Sequence, residues 1–308
     1  MLSYNEFINQ MEEREMVKIH FLDVGNGDCT IIEHDTKRVS VIDICKGNTD
    51  PIKYLKDLKI ETVFRFILTH PDMDHLTGFK DLFERFEVLN FWDRKHQKEI
   101  KEFKSEYEEQ DWNCYQKYRS SSEEEESPKV LTLYRGAQNK YYNEDGLHII
   151  SPTKDLEKRC NENEDWNNMS YVILHEVYGK KILYCGDSER LAWEYIKNDK
   201  LKENLENIDI LFAPHHGRES GGDEENKYLD TLNPKLAIFG NAPSVYKNYS
   251  PFNNRDIPIL TNTEAGDIIL HISEEKIEIE IRKHWKNVLV SKNKEWKEML
   301  KENNICLI

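Results

Sequence analysis

The stretch Thr69-His70-Pro71-Asp72-Met73-Asp74-His75-Leu76-Thr77-Gly78 decides how the chain is read. Two histidines and two carboxylates fall between positions 70 and 75. Val63-Phe64-Arg65-Phe66-Ile67-Leu68, just before it, is apolar and β-prone, so a buried strand is expected there. Pro71 stops that strand and pushes the residue before it away from helix. The four polar side chains therefore lie on a tight loop at a strand end, where a rigid scaffold usually carries its site. Imidazole together with carboxylate suits zinc, manganese or iron, and a cluster this dense has room for two ions. The plainer alternative is a charged turn with incidental histidines. Matching pieces elsewhere in the chain outweigh it.

Two later strand ends repeat the pattern. Tyr171 to Val177 and Lys181 to Cys185 form a hairpin that delivers Gly186-Asp187-Ser188-Glu189. An acid beside a glycine that permits close approach is what a bridging metal carboxylate requires. Ile208 to Ala213 is another buried strand, ending in Pro214-His215-His216-Gly217-Arg218-Glu219-Ser220. Each loop alone is a weak signal; their shared placement after strands is the argument.

Earlier, Val17 to Val24, Cys29 to Glu33 and Val39 to Ile44 read as a β-meander with acids at its turns, and Asp43 lies near the third strand's end. Asp23 and Asp28 are explained equally by loop hydrogen bonding and by orienting a ligand histidine. Short helices are expected over 50–59 and 79–86, with a strand over 86–92; strands alternating with helices suggest α/β layers. Residues 93–146 are dense in Lys and Glu, with Tyr107, Trp112, Tyr115 and Tyr118 interleaved. They read as a charged helical insertion, roughly 94–119, whose aromatics pack the helix, followed by a solvated acidic loop. His148 sits in the strand Gly146 to Pro152, where an ordinary strand histidine is the favoured reading and a ligand the other. Helix is also expected over 3–14 and 191–196, and strands over 236–239, 257–260, 267–271 and 276–281. The stretch from Arg282 to Ile308 reads as a docking tail or a surface helix.

The chain of 308 residues carries a net charge of −15, with 33% charged and 38% hydrophobic residues. That balance disfavours loose electrostatic binding to long DNA. A metal-lined pocket for a small anion or a strand end remains compatible, because bound divalent ions invert the local electrostatics. The six cysteines, Cys29, Cys45, Cys114, Cys160, Cys185 and Cys306, show no zinc-finger spacing. No signal-type apolar segment opens the chain, and no run approaches the ~18 apolar residues of a membrane span. A cytoplasmic, reduced protein without membrane contact is the expectation. No dinucleotide fingerprint, P-loop or nucleophile elbow is present.

With these residues in hand, the chain resembles the metallo-β-lactamase superfamily, most closely the branch formed by the hydrolase domain of the competence protein ComEC/Rec2. The matching pieces are Phe21 to Asp28, Val41-Ile42-Asp43, the loop 70–75 with Thr77-Gly78, Asn168-x-Ser170, Leu183 to Asp187, and Pro214-His215-His216-Gly217. Order and spacing agree from about 17 to 272 outside the insertion. The resemblance implies an α/β fold, the αββα four-layer sandwich, with the charged helical insertion added. It divides the chain into an extension at 1–16, a metallo-β-lactamase-fold domain at 17–281 (insertion about 93–146) and a tail at 282–308.

It further implies two divalent metal ions, zinc or manganese. His70 and Asp72 would bind the first, Asp74 and His75 the second, and Asp187 would bridge; one of His215 and His216 would close the second site. Asp72 stands where many members have a second histidine, which shifts the site toward harder metals such as manganese. The usual third-motif histidine has no clear counterpart; His148 or the Asn168/Ser170 loop are the positions to test.

The expected activity is metal-dependent hydrolysis, with Asp74 or Asp187 taking the proton of the attacking water and His216 or Arg218 stabilising developing charge. The resemblance favours a phosphodiester in nucleic acid or nucleotide, with Lys46, Arg218 and Lys247 as candidate phosphate contacts. Two other readings stay open: a hydrolase of lactones, thioesters or choline phosphoesters, and a regulatory module that binds a protein partner through 93–146 over a degenerate metal site. A role in bacterial defence is compatible with all three.

Overall fold

Alternation in Val17-Lys18-Ile19-His20-Phe21 sends Val17, Ile19 and Phe21 into one apolar layer, while His20 turns the other way and meets the Tyr54 hydroxyl at 3.0 Å. That two-sided burial, repeated along most strands, builds the molecule. The computed structural model describes residues 16–120, 128–197, 204–282, 289–290 and 305–307. The helix expected over 3–14 and most of the acidic run 120–127 lie outside them.

Six strands come first: β1 (Val17–Phe21), β2 (Thr30–Glu33), β3 (Val39–Ile42), β4 (Thr62–Ile67), β5 (Glu87–Trp92) and β6 (Lys129–Leu131). Six more follow: β7 (Leu147–Ser151), β8 (Val172–Val177), β9 (Lys180–Tyr184), β10 (Ile210–Phe212), β11 (Leu236–Phe239) and β12 (Ile259–Thr261). The first six lie side by side in one sheet and the second six in another. Both sets pair antiparallel for their first two junctions and parallel for the next three. Thus β3 and β4 in one half occupy the places that β9 and β10 hold in the other.

The last strands are shared out. β13 (Ile268–Ile272) and β14 (Ile277–Ile281) extend the first sheet beyond β1. The tail adds one strand to each sheet: β15 (Leu289–Val290) pairs with β12, and β16 (Ile305–Leu307) pairs with β14. Where a docking tail or a surface helix is expected, the described residues of the tail form edge strands that continue both sheets, and the rest of the tail lies outside the described residues.

Three apolar clusters define the layers. Ile19, Phe21, Ile67 and Trp92 of one sheet meet Ile173, Tyr184, Phe212 and Ile238 of the other in the central core. Phe21 and Phe212 touch edge to face across it, at 5.1 Å between centroids. The first sheet's outer face packs on α1 (Pro51–Asp57), α2 (Phe79–Arg85) and α3 (Glu106–Arg119). The second sheet's outer face packs on residues of α6 (Arg190–Lys197), reached after α4 (Lys140–Glu144) and α5 (Lys154–Asn163). The result is the αββα four-layer sandwich expected from the sequence.

The insertion is more integral than a surface helix. Trp112 and Tyr115 are buried against Phe79 and Phe91, β6 extends the sheet, and residues 94–104 form no regular element. Asp145, near its end, bonds Arg65 of β4 at 2.5 Å and Arg38 at 2.9 Å inside the protein. Cys29, Cys45, Cys160 and Cys185 are buried free thiols, and among the described residues no helix is long and apolar enough to cross a membrane.

Candidate metal centre

The equivalent strands β3, β4, β9 and β10 all end at one edge of the sandwich. After β3, Asp43 adopts a left-handed φ of 55°. Its buried carboxylate accepts from Thr69 N and Thr69 Oγ1, both at 2.7 Å, and from His75 Nδ1 at 2.8 Å. After β4, Pro71 breaks the extended chain and Met73–His75 form one tight 3-10 turn, which carries His75 inward. After β9, Gly186 has φ 50°, and a Cβ there would come within 3.0 Å of Thr69 and 3.1 Å of Ser170. Only a residue without a side chain lets the Asp187 loop lie this close to the histidine loop. After β10, His215 and His216 both take left-handed conformations, at φ 49° and 55°. Such strain costs roughly 1–2 kcal/mol per residue and is held where the surroundings over-determine it.

Asp187 is the hub. Its Oδ1 lies 3.4 Å from His75 Nε2 and 3.5 Å from His216 Nε2; its Oδ2 lies 3.8 Å from His70 Nε2 and 3.4 Å from His215 Nε2. Asp28, His75, Asp187 and His216 each offer a ligand atom within 4.8 Å of the others. Among the described residues this is the one such group. Asp28 therefore enters the centre, and its Oδ1 accepts from His216 Nδ1 at 3.1 Å. His75 and His216 thus share one arrangement: Nδ1 on a carboxylate, Nε2 on Asp187. A carboxylate behind a histidine in this way fixes the tautomer and points the other nitrogen's lone pair at a metal.

The facing atoms are left without partners. His70 Nε2, His75 Nε2, His216 Nε2 and Asp187 Oδ1 are all buried and accept or donate no hydrogen bond. Buried polar atoms are nearly always satisfied, so three such orphans within the four-residue group, on His75, His216 and Asp187, fit a divalent cation, with the fourth, His70 Nε2, 3.8 Å from Asp187 Oδ2.

Electrostatics agree. Burial opposes the charge on Asp187, yet His216 and His75 outweigh it and hold its carboxyl well below the usual range. Burial likewise opposes a charged His216, but Asp187 and Asp28 raise it to about 9. Asp187 and Asp43 overcome burial at His75 and raise it well above the ordinary value. His70 behaves oppositely: burial, with His75 beside it, pushes it down to about 3 and keeps it neutral.

The remaining expected residues spread around this core. His215 gives Nδ1 to Glu189 at 2.7 Å, and Arg218 Nη1 lies 3.2 Å from its Nε2. The Asp74 carboxylate stands outside the four-residue group, while its carbonyl accepts from Asp28 N at 3.3 Å. Asp72 is 3.8 Å from His70 Nε2 and bonds Lys98 Nζ, from the insertion. His148 pairs with Glu176 at 3.2 Å on a half-exposed strand face. Ser170 Oγ accepts from Asp187 N, and Asn168 Oδ1 accepts from Glu189 N and Ala192 N, so both hold backbone. Asp23 accepts from Asn48 at 3.1 Å and supports loops. Lys46 pairs with Asp81, and Lys247 donates to Thr263.

Sequence reasoning did not single out Asp43, Glu189 or Lys98 as site residues. Asp43 had a signal, an acid closing an apolar strand. Lys98 had none, since it lies in a run where lysine and glutamate recur without period.

No protein-family profile matches the chain, and no curated protein matches it. Among solved structures it is similar to a metallo hydrolase from the hyperthermophilic archaeon Ignicoccus hospitalis, with 15% identity, 77% of this chain and 90% of that one covered, and a TM-score of 0.45. It is also similar to a protein of Thermotoga maritima described as a Zn-dependent hydrolase of the metallo-β-lactamase superfamily, with 16% identity, coverage of 71% and 74%, and a TM-score of 0.35. A mutant of the β-hydroxylase CmlA matches at 10% identity, coverage of 71% and 45%, and a TM-score of 0.42.

Proposed function

We propose that the protein is a metal-dependent hydrolase of the metallo-β-lactamase type that cleaves a phosphodiester bond in a nucleic acid or nucleotide. One observation carries the hydrolase reading: His75 Nε2, His216 Nε2 and Asp187 Oδ1 are buried without partners inside one group of ligand atoms that Asp28 completes. A divalent ion there supplies Lewis acidity and lowers the pKa of water. The chain's own residues do the rest. Asp43 and Asp28 keep the Nδ1 protons of His75 and His216, so their Nε2 lone pairs face inward. Asp187 or Asp74 would take the proton of the attacking water in this reading. Arg218, held against His215, brings positive charge to the edge where negative charge develops. The carboxylates Asp28 and Asp187 beside two imidazoles favour manganese or zinc over softer metals.

The phosphodiester rests on the sequence resemblance and on Lys98 and Arg218, two cations at the centre of a protein with net charge −15. The acidic surface turns the preference from long duplexes toward strand ends or nucleotides. A second reading, a lactone, thioester or choline phosphoester substrate, is favoured by one feature. A cavity of 430 Å³ is lined by Arg218, Glu219, Ser220, Val245 and Tyr246, and the last two are 80% and 57% exposed.

The test is metal content by mass spectrometry together with cleavage of single- and double-stranded DNA and RNA in manganese or zinc, run beside Asp187→Ala. Bound metal and cleavage that disappears in the variant support the reading. Hydrolysis of lactones, thioesters or simple phosphodiesters without nucleic acid cleavage moves the substrate to the second class. No metal and no hydrolysis overturn both.

A further inference from the structure

His70 presents a lone pair that no neighbour uses. Thr69 Oγ1 gives its hydrogen to Asp43 Oδ2 at 2.7 Å, so it accepts from His70 Nδ1 at 3.1 Å. Nε2 is then the bare nitrogen, 3.8 Å from Asp72 Oδ1 and 3.8 Å from Asp187 Oδ2, with no hydrogen-bond partner. One imidazole and two carboxylates of this kind ask for positive charge. As a second divalent site the set is thin, because Asp187 is shared with His75 and His216, His215 Nε2, 3.4 Å from the same Oδ2, accepts from Arg218 Nη1 at 3.2 Å, and His148, Asn168 and Ser170 are all engaged elsewhere.

The positive charge comes from the chain. Lys98 Nζ bonds Asp72 Oδ1, and the Lys98 side chain is only 16% exposed. Its placement is built. Lys98 N donates to His96 Nδ1 at 3.0 Å, and the buried His96 ring stacks on Tyr115 at 5.9 Å, inside the packing of α3. A lysine anchored through a buried ring differs from a surface lysine that drifts onto the nearest acid. Like charges repel, so an ammonium on Asp72 and a divalent ion on the same carboxylate exclude each other.

We propose that the Lys98 ammonium takes the place of a second metal ion, so that the centre holds a single tight ion at Asp28, His75, Asp187 and His216, with Lys98 as the fixed cation facing the substrate's anionic group. This rests on the metal-dependent reading above. It departs from the two-ion expectation and gives the insertion a part in the site.

Metal stoichiometry tests it independently of activity. The protein is equilibrated with manganese or zinc, freed of loose ion by gel filtration, and analysed by mass spectrometry and calorimetry. One tight ion per chain is expected for the wild type and for Lys98→Arg, which keeps the charge. Lys98→Gln and Lys98→Ala are expected to acquire a second ion, its affinity improved at least tenfold. Circular dichroism and melting of each variant report that the fold is intact. Two ions of comparable affinity in the wild type overturn the inference and leave the hydrolase reading standing. Unchanged second-ion affinity in both neutral variants also overturns it. No ion at all overturns the hydrolase reading itself.

Discussion

His216 gives its Nδ1 hydrogen to Asp28 across 3.1 Å, joining residues 188 positions apart in the chain. The bond crosses from one sheet's loops to the other's, and Gly240 at the end of β11 makes room for it. A Cβ on Gly240 would lie 2.7 Å from His216 Nδ1 and 2.8 Å from Asp28 Oδ1.

Gly240→Ala is therefore expected to break this contact while leaving the backbone unstrained. His216 loses the carboxylate that orients it, a change that typically costs 10- to 100-fold in metal affinity. Overpacking adds a stability loss of about 1–3 kcal/mol. Competition with a chelator of known affinity measures the first effect, and urea unfolding the second. Affinity equal to the wild type would refute this account of Gly240.

Asp43→Asn isolates the second brace. Asparagine tolerates the left-handed backbone at this position, so the fold is kept. Its amide nitrogen cannot accept, however, and the histidine hydrogen at Nδ1 loses its acceptor. The ring is expected to carry its hydrogen on Nε2, which removes the lone pair from the centre. Metal affinity falls about 10- to 100-fold, and NMR of the His75 ring nitrogens reports the tautomer change.

Proton release should accompany metal binding. His216, raised to about 9, and His75, raised well above its ordinary value, carry protons at neutral pH that a ligand nitrogen must give up. Affinity is expected to climb about tenfold per pH unit for each proton displaced, levelling for His216 above about 9. Calorimetry in buffers of different ionisation enthalpy counts the protons directly. A heat independent of buffer would contradict these charge states.

Acid should destabilise the protein well before its carboxylates titrate. His34 and His175, with ring centroids 5.4 Å apart, are buried and held neutral. Burial pushes His34 well below the ordinary value and His175 to about 4. Below about pH 6.5 the unfolded chain binds a proton at each that the folded chain refuses, so stability falls as pH drops toward 4. The slope is about 1.4 kcal/mol per pH unit per histidine. His216 works in the opposite sense: its raised value adds stability that is present below 6.5 and lost as pH rises through about 9. Urea midpoints of chelator-treated protein between pH 4.5 and 9.5 should peak near neutrality, and His175→Phe should flatten the acid limb.

Much of this was legible because the signals are local. Strand-then-ligand loops at 70–75, 187 and 215–216 announce themselves within ten residues, and their common edge follows from ordinary sheet topology. The partners were less visible. Asp28 reads as a turn acid until His216 arrives beside it, and no periodicity marks Lys98 within its charged run. The tail strands were hidden for a related reason: β15 and β16 contribute two and three residues, too short for an alternating pattern to rise above its surroundings. His148 alternates with apolar neighbours as any strand histidine does, and it spends its ring on Glu176.

The repeated pairing of β1–β6 and β7–β12 has a mechanical corollary. Asp28 and His75 hang from the first half, Asp187 and His216 from the second, so each half supplies two of the four donors. A bound ion acts as a rivet through the seam. Each half can then come apart only by giving up the ion's binding energy, so loading couples the unfolding of both halves into one event. Loss of the ion would free the seam to open at this edge while the apolar layer between the sheets still holds.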